Sequence, residues 1–292
     1  MRCLAWMVLA ASLASAAGCN TSNQKFLTDE RLANGLVIIL PGIEGESRLN
    51  RNIRQGMVSA GVYRGMPIYS WGRPIPLAGM FLNQVDFLGN RLAGIGIAKM
   101  VTDYQDSHPG RPVYLVGHSG GGGVAVFAAE AMPQDRQLDG LILLSASISS
   151  PYNLSKALSR CRNGIVNFYN KEDAMLLGLG TTVVGNVDGG HGPSAGLVGF
   201  AKPGPKDSDE KRFAYTKLFQ VQLTPTMAGH GDPHSAVTRT SFVAAHVAPW
   251  VRAGSWPPGG RVGTARLNRR GRKATCPSRR AAFIICAAHR PT

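Results

Sequence analysis

The stretch of the chain that is most informative about its fold is VYLVGHSGG, residues 113–121. An apolar run leads directly into a Gly-x-Ser-x-Gly motif, and an Ala-rich segment with helical character follows over residues 124–132. A strand, a sharp turn and a helix in this order expose a serine on a strained turn, and the flanking glycines let strand and helix approach each other. We therefore expect Ser119 to be a nucleophile.

Four consecutive glycines, Gly120 to Gly123, stand where this helix begins. Each costs about 1 kcal/mol of helix propensity relative to alanine. Four glycines at a helix start therefore indicate that larger side chains do not fit there. Close packing of the backbone at the turn would be the reason. A phosphate-binding loop is the alternative for a glycine-rich turn, but the lysine that such a loop needs is absent here.

Outward from this motif, short apolar runs alternate with segments of helical spacing. Continuous apolar runs suit strands that are buried on both faces, as in a parallel sheet. Strands are predicted over residues 35–40, 67–71, 112–116, 138–144, 164–169 and 217–223, and helices over 49–60, 85–105, 124–132 and 241–251. The alternation predicts an α/β fold, a mainly parallel sheet with helices on both faces. Residues 148–163 and 174–216 do not fit it, and we expect them to form a cap or lid over the strand ends.

The charge of the chain is concentrated at one end. Its 292 residues carry 32 Lys and Arg against 17 Asp and Glu, a net charge of +15, yet residues 252–292 hold ten of the basic side chains and no acidic one. This composition predicts a disordered tail and adhesion to anionic surfaces, with no specific nucleic-acid binding. None of the five cysteines forms a Cys-x-x-Cys pair, so we expect no zinc ribbon, no other metal site and no cofactor.

Residues 1–18 have the features of an export signal. Arg2 precedes an apolar run too short to span a bilayer, and small residues follow it. Residues 16–19, Ala-Ala-Gly-Cys, resemble a bacterial lipoprotein box, which predicts lipidation of Cys19 and anchoring to a membrane. The alternatives are cleavage after Ala16 with a secreted or periplasmic product, and an uncleaved cytoplasmic chain. We expect a polar tether over residues 19–34 and the folded domain over 35–251.

With its motif in a strand–turn–helix context, the chain resembles the α/β-hydrolase family over residues 35–251. The resemblance implies a serine nucleophile, an acid and a histidine, in this order along the chain. Asp173 follows a predicted strand and is the expected acid. The alternative is that Asp173 caps a helix, since Asp is a favoured capping residue, and Glu172 is the neighbour that could take its place.

Two histidines follow the last predicted strand and are candidates for the general base. His230 belongs to a Gly-His pair that is common in the family, whereas the spacing of His234 from the final helix resembles these hydrolases better. The resemblance therefore implies His234 as the base, with His230 as the alternative. His246 falls on a predicted helix and is expected to be a packing or surface residue. His118, next to the nucleophile, receives no role.

The resemblance also implies two backbone N–H groups that stabilise a negative oxygen in the transition state. Gly120, directly after the nucleophile, supplies one of them. The loop after the first strand, residues 40–45, supplies the other, and Ile43 is the expected donor. The alternative for this loop is a simple turn that ends a strand.

These expectations describe a serine hydrolase of the esterase or lipase type. Ser119, His234 and Asp173 would cleave a carboxylic ester through an acyl-enzyme and without a cofactor. A lipid ester, a thioester and an amide are the further candidate substrates. Export and the glycine-rich lid region favour a lipid or another small ester. The alternative is a non-catalytic binding protein on the same scaffold. This alternative stays open because the sequence offers two histidines as the base and does not identify which of them completes a catalytic triad.

Overall fold

A computed structural model of the chain describes residues 21–72, 86–173 and 185–260. The expected export signal and Cys19 lie outside the described residues. So do residues 174–184 of the expected cap and the tail from residue 261 onward.

Five parallel strands form one sheet whose strand order follows the chain. Their bounds are β1 Leu36–Leu40, β2 Val113–His118, β3 Gly140–Leu144, β4 Ile165–Tyr169 and β5 Leu218–Gln222. Every residue of β1, β2 and β3 is buried, which is why these strands have continuous apolar sequences rather than alternating ones. The predicted α/β fold with a parallel sheet is confirmed.

Helices cover both faces of the sheet. Their bounds are α1 Thr21–Gln24, α2 Asp29–Leu32, α3 Arg48–Ser59, α4 Phe87–Ser107, α5 Gly120–Ala131, α6 Ser155–Ser159, α7 Ala195–Val198, α8 Asp209–Ala214 and α9 Pro225–Ala228, with 3₁₀ turns at Tyr215–Lys217, Ala236–Thr238 and Pro258–Gly260. One hydrophobic core contains side chains of α4, α5 and α6 together with alternate residues of β1. A second core contains side chains of α3 and the final helix together with the remaining residues of β1. No helix within the described ranges is both long and apolar enough to cross a membrane.

The final helix, α10, changes its winding along its length. Thr240–Phe242 and Ala248–Arg252 are α-helical, and Val243–Val247 between them is π-helical. Proline has no N–H with which to continue an α-helical ladder, so Pro249 stands where the wider turn ends. The helix predicted over 241–251 is therefore present, but it is not regular.

The strand predicted over residues 67–71 lies beside β1 without forming a regular ladder. It is joined to β1 by an isolated parallel bridge between Ile39 and Ile68. The N–H of Tyr69 donates to the carbonyl oxygen of Ile39 at 2.9 Å. Pro67 has no N–H to offer, which is tolerated at a sheet edge but interrupts the pairing.

The folded domain begins before residue 35, because part of the expected tether packs onto it. Asn23 is buried, and its amide exchanges hydrogen bonds with the backbone of Ile68: Nδ2 donates to the carbonyl oxygen and Oδ1 accepts from the N–H, both at 3.1 Å. Oδ1 also accepts from Arg54 Nη1 at 2.8 Å. The guanidinium of Arg54 lies 4.0 Å from the ring centroid of Phe26. The prediction of a tether is wrong for these residues, because their polar groups are satisfied by partners distant in the sequence.

Residues 155–163, predicted as cap, form the connection from β3 to β4. In α6, Ala157 and Leu158 are buried against the core that includes α5. Cys161 then pairs with Leu138, at the end of the sheet where β3 begins. This segment therefore lies away from the strand ends that a cap would cover.

Residues 185–199, also predicted as cap, do lie at the carboxyl ends of β3 and β4. The N–H of Val187 donates to the carbonyl oxygen of Ser147 at 3.2 Å, and that of Ala195 donates to Ile148 at 2.7 Å. From β4, Asn167 Nδ2 donates to the carbonyl oxygen of Ala195 at 2.9 Å. These bonds hold the segment on the sheet edge at which Ser119 lies.

The chain remains packed beyond Val251, where the domain was expected to end. Trp256 Nε1 donates to the carbonyl oxygen of Trp250 at 2.7 Å, and the two rings meet edge to face with centroids 5.1 Å apart. The Trp256 ring also stacks on Tyr114 of β2 at 6.3 Å. The folded domain thus extends at least to Trp256.

Candidate active site

Ser119 lies at the turn between β2 and α5, with φ at 52° and ψ at −124°. A positive φ strains a residue that has a side chain, and such strain is typical of a turn that presents a nucleophile. The backbone is held from several directions: the N–H of Ser119 donates to the carbonyl oxygen of Leu144 at 3.0 Å. Its own carbonyl oxygen accepts from Gly122 and Ser147 at 2.9 and 3.0 Å. This is the sharp turn that the Gly-x-Ser-x-Gly motif predicts.

The glycines around Ser119 are required because backbone or side-chain atoms of other residues approach their Cα atoms closely. A Cβ atom at Gly117 would lie 2.4 Å from the carbonyl oxygen of Gly121, and one at Gly121 would lie 2.2 Å from that of Pro41. A Cβ atom at Gly123 would lie 2.0 Å from Cγ2 of Val187. Each distance is shorter than a non-bonded contact allows. The close packing predicted from the glycine run is therefore present.

Asp173 and His234 are brought together by the loops that follow β4 and β5. His234 Nδ1 lies 2.6 Å from Asp173 Oδ2, and both side chains are buried. The two loops are also joined by a hydrogen bond from Asn170 Nδ2 to the carbonyl oxygen of Pro233, at 3.3 Å. Burial raises the pKa of Asp173, and the hydrogen bond and charge of His234 partly offset this rise. The pair can therefore hold an imidazole in a fixed orientation with a carboxylate behind it.

His230, the alternative base, lies on the exposed part of the same loop. Its backbone carbonyl oxygen accepts from Arg239 Nη2 at 2.6 Å. Closer to His234, the Asp232 carboxylate accepts the N–H groups of His234 and Ser235 at 3.3 and 2.9 Å. Of the two candidate histidines, the structure places His234 beside Asp173.

His118 is a buried neighbour of this pair to which the sequence assigned no role. Its ring centroid lies 5.0 Å from that of His234, at an interplanar angle of 49°. Burial, together with the charge of His234, lowers the pKa of His118 to about 3. His118 is therefore a neutral residue that packs against the ring of His234. Its place before the serine in the motif is the signal that could have indicated this contact.

The low pKa of His118 has a consequence for stability. Between about pH 6.5 and 3 the unfolded chain binds a proton at this residue and the folded chain does not, so the free energy of unfolding falls as the pH falls. We expect wild type to lose about 2 kcal/mol more than His118→Gln between pH 7 and pH 5. Urea unfolding of both proteins at the two pH values measures this, and equal losses would contradict a neutral buried His118.

The loop after β1 borders Ser119 on the side away from β3. An ideal Cβ atom at Gly42 would lie 3.2 Å from Ser119 Cβ, and Trp71 Nε1 holds the loop by donating to the carbonyl oxygen of Pro41 at 2.7 Å. Ile43 follows in this loop, and Gly120 is the first residue of α5. Of the two residues expected to supply the oxyanion donors, Gly120 adjoins the serine in the chain, and Ile43 adjoins Gly42.

Glu44 belongs to the same loop and was missed in the sequence. Its Oε2 lies 2.2 Å from the position that a Cβ atom of Gly42 would occupy. Burial raises the pKa of Glu44, while N–H groups of Glu44 and Gly42, the Ser47 hydroxyl and the charge of His234 oppose the rise. An acidic residue two places after the loop glycine is the signal that could have found it.

A metal site is not found in the described ranges, where no group of three or more His, Cys, Asp and Glu side chains is placed to hold an ion. Cys161, the cysteine within the described domain, is buried, and burial raises the pKa of its thiol to about 12. It is therefore a poor candidate for a ligand or nucleophile.

A family model described as serine aminopeptidase, S33, matches residues 96–172. The match begins within α4, contains the turn at Ser119 and ends directly before Asp173. The chain has the α/β-hydrolase fold. A search of curated protein sequences finds no match to this chain.

Solved structures similar to this chain share little sequence identity with it. A cutinase-like protein from Cryptococcus sp. is 14% identical with a TM-score of 0.40, and the similarity covers 75% of this chain and 93% of that protein. A pyrethroid hydrolase, PytH, solved with BIF, is 15% identical with a TM-score of 0.39, covering 76% and 99%. At TM-scores this low, neither similarity bears on substrate or mechanism.

Proposed function

We propose that this protein is a serine hydrolase that cleaves carboxylic esters with Ser119, His234 and Asp173. The observation that carries the proposal is the 2.6 Å contact between His234 Nδ1 and Asp173 Oδ2. Both residues follow parallel strands, and Ser119 follows a third, so all three belong to the carboxyl-terminal edge of one sheet. Ligands bind at this edge in open α/β folds.

In the first half of the proposed reaction, His234 Nε2 accepts the proton of the Ser119 hydroxyl as Oγ attacks the carbonyl carbon. The bond to the leaving alcohol oxygen then breaks, and the imidazolium gives its proton to that oxygen. In the second half, water attacks the acyl-enzyme by the same proton route and releases the carboxylic acid. Asp173 accepts the Nδ1–H hydrogen bond throughout and stabilises the imidazolium.

The N–H groups of Gly120 and Ile43 stabilise the oxyanion in this mechanism. Gly120 is the first residue of α5, and the first N–H groups of a helix have no carbonyl partner within it. Ile43 follows Gly42, which borders Ser119 in the loop after β1. Support for this assignment is that the two donors come from different elements near the serine, as an oxyanion site requires.

The substrate class proposed is a small or lipid ester. The matching family model is that of serine aminopeptidases, which makes an amide the competing substrate. A panel of p-nitrophenyl esters of increasing chain length, beside alanine and proline p-nitroanilides, separates the two. Turnover of anilides with none of the esters would move the proposal from esterase to aminopeptidase.

Fluorophosphonate labelling of the full chain tests the proposal, since the probe reacts with an activated serine. We expect one adduct, mapped to Ser119 by mass spectrometry, and loss of p-nitrophenyl butyrate hydrolysis in step with labelling. Ser145 provides a matched control, because it is buried at the end of β3 and also has a positive φ, 46°. Ser145→Ala should be labelled like wild type. A folded wild type that takes no label would favour the non-catalytic binding protein.

We also propose that the protein is exported and anchored to a bacterial membrane through a lipid on Cys19. The support is the order of charged, apolar and small residues before Cys19. Bacteria that express the full chain and are fed an alkyne fatty acid should label wild type but not Cys19→Ser. Recovery of unlabelled wild type in the medium or periplasm would instead establish plain secretion.

A further inference from the structure

Glu44 places a carboxylate at the border of the catalytic serine. The point that a Cβ atom of Gly42 would occupy lies 2.2 Å from Glu44 Oε2 and 3.2 Å from Ser119 Cβ. The carboxylate and the serine are therefore close neighbours beside the same glycine. The proposed mechanism uses neither oxygen of this carboxylate.

The Glu44 carboxylate is fixed by hydrogen bonds from its own loop. The Ser47 hydroxyl donates to Oε1 at 3.2 Å, and the N–H groups of Glu44 and Gly42 also favour the ionised form. Ser47 is in turn the N-cap of α3, so the carboxylate is tied to the start of a helix. Its position relative to Ser119 is thus part of the loop structure.

A second acidic residue in the loop has a different environment. Glu46 lies two positions further on and forms an ion pair with Arg51, with Nη1 and Oε1 3.8 Å apart. For Glu44, the charge that favours its ionised form is that of His234, across the site. The loop therefore carries one carboxylate that faces the site and one that is paired with a cation on α3.

We propose that Glu44 is a specificity-determining residue that selects substrates by charge, favouring cationic or neutral acyl groups over anionic ones. The inference rests on the proposed ester hydrolysis. A substrate whose carbonyl carbon bonds to Ser119 Oγ brings its acyl chain close to Glu44. A carboxylate that is partly removed from water attracts or repels a second charge at this range far more strongly than it would in bulk solvent.

The test is a charge series of p-nitrophenyl esters, with the full chain at pH 8 and low salt. The esters are butyrate, hemisuccinate and 4-(trimethylammonio)butyrate, which differ in terminal charge at similar length. For Glu44→Gln we expect kcat/KM to rise about tenfold on the anionic ester and to fall about tenfold on the cationic one. The neutral ester should change less than threefold. Glu46→Gln is the control, and its ratios should match wild type.

Salt provides a second measurement that needs no variant. In wild type, 0.5 M NaCl should reduce the preference for the cationic over the anionic ester only in part, because salt screens partly buried charges much less than exposed ones. Equal changes on all three esters in Glu44→Gln, or a preference that 0.5 M NaCl abolishes as it would for exposed surface charges, would overturn the charge selection by Glu44. If Ser119→Ala hydrolyses all three esters as well as wild type does, the proposed function itself fails. Hydrolysis that depends on Ser119 with unaltered charge ratios removes only the role of Glu44.

Discussion

Replacing His234 by alanine is expected to lower kcat for p-nitrophenyl butyrate by about 10⁵-fold. Without an imidazole at this position, the proton of the Ser119 hydroxyl has no acceptor, and the leaving alcohol has no donor. His230→Ala should stay within about twofold of wild type, since an exposed side chain outside the pair contributes no interaction to the transition state. The measurement is kcat for both variants beside wild type.

Added imidazole distinguishes a missing base from a distorted site. In His234→Ala the free imidazole can enter the space left by the side chain and take the same proton, so activity should rise with its concentration. Wild type and His230→Ala should not respond. A large loss in His230→Ala with an active His234→Ala would reverse the assignment of the base.

The sequence determined most of the sheet and the turn at Ser119, because both depend on local patterns. Strands buried on two faces need continuous apolar runs, and β1 to β4 were located by these runs to within two residues. The turn needs glycines where backbone meets backbone, as at Gly121. Constraints of this kind are visible in a few consecutive residues.

Features that depend on distant contacts were harder to predict. Asn23 has the composition of a tether, and only its bonds to Ile68 and Arg54 make it part of the domain. Glu44 resembles an ordinary polar loop residue until Gly42 and Ser119 are placed beside it. The choice of His234 over His230 was left open for the same reason, since the contact with Asp173 joins two loops 61 residues apart.

Asp173→Asn is expected to lower kcat by about 10⁴-fold near neutral pH. An asparagine amide can donate to Nδ1 of His234, which favours the imidazole tautomer with its proton on Nε2. That tautomer cannot accept the proton of Ser119. Glu172→Gln is the matched control, because Glu172 is the exposed neighbour of Asp173 and the alternative acid. Its kcat should remain within about twofold of wild type, whereas a loss confined to Glu172→Gln would assign the acid to that residue.

The stability and activity of two variants, Asp173→Asn and Asp173→Ala, separate the orienting role from a helix-capping role. Burial raises the pKa of Asp173, so folding disfavours its ionised form relative to the unfolded chain. At pH 7 a neutral asparagine escapes this cost, and the free energy of unfolding should equal or exceed that of wild type. A capping role is tested by Asp173→Ala, because asparagine caps a helix as well as aspartate does, whereas replacing a cap by alanine lowers stability by about 1 kcal/mol and leaves the chemistry nearly intact. A folded, stable and inactive Asp173→Asn therefore identifies the carboxylate as the group that orients His234, and a less stable but active Asp173→Ala identifies a cap.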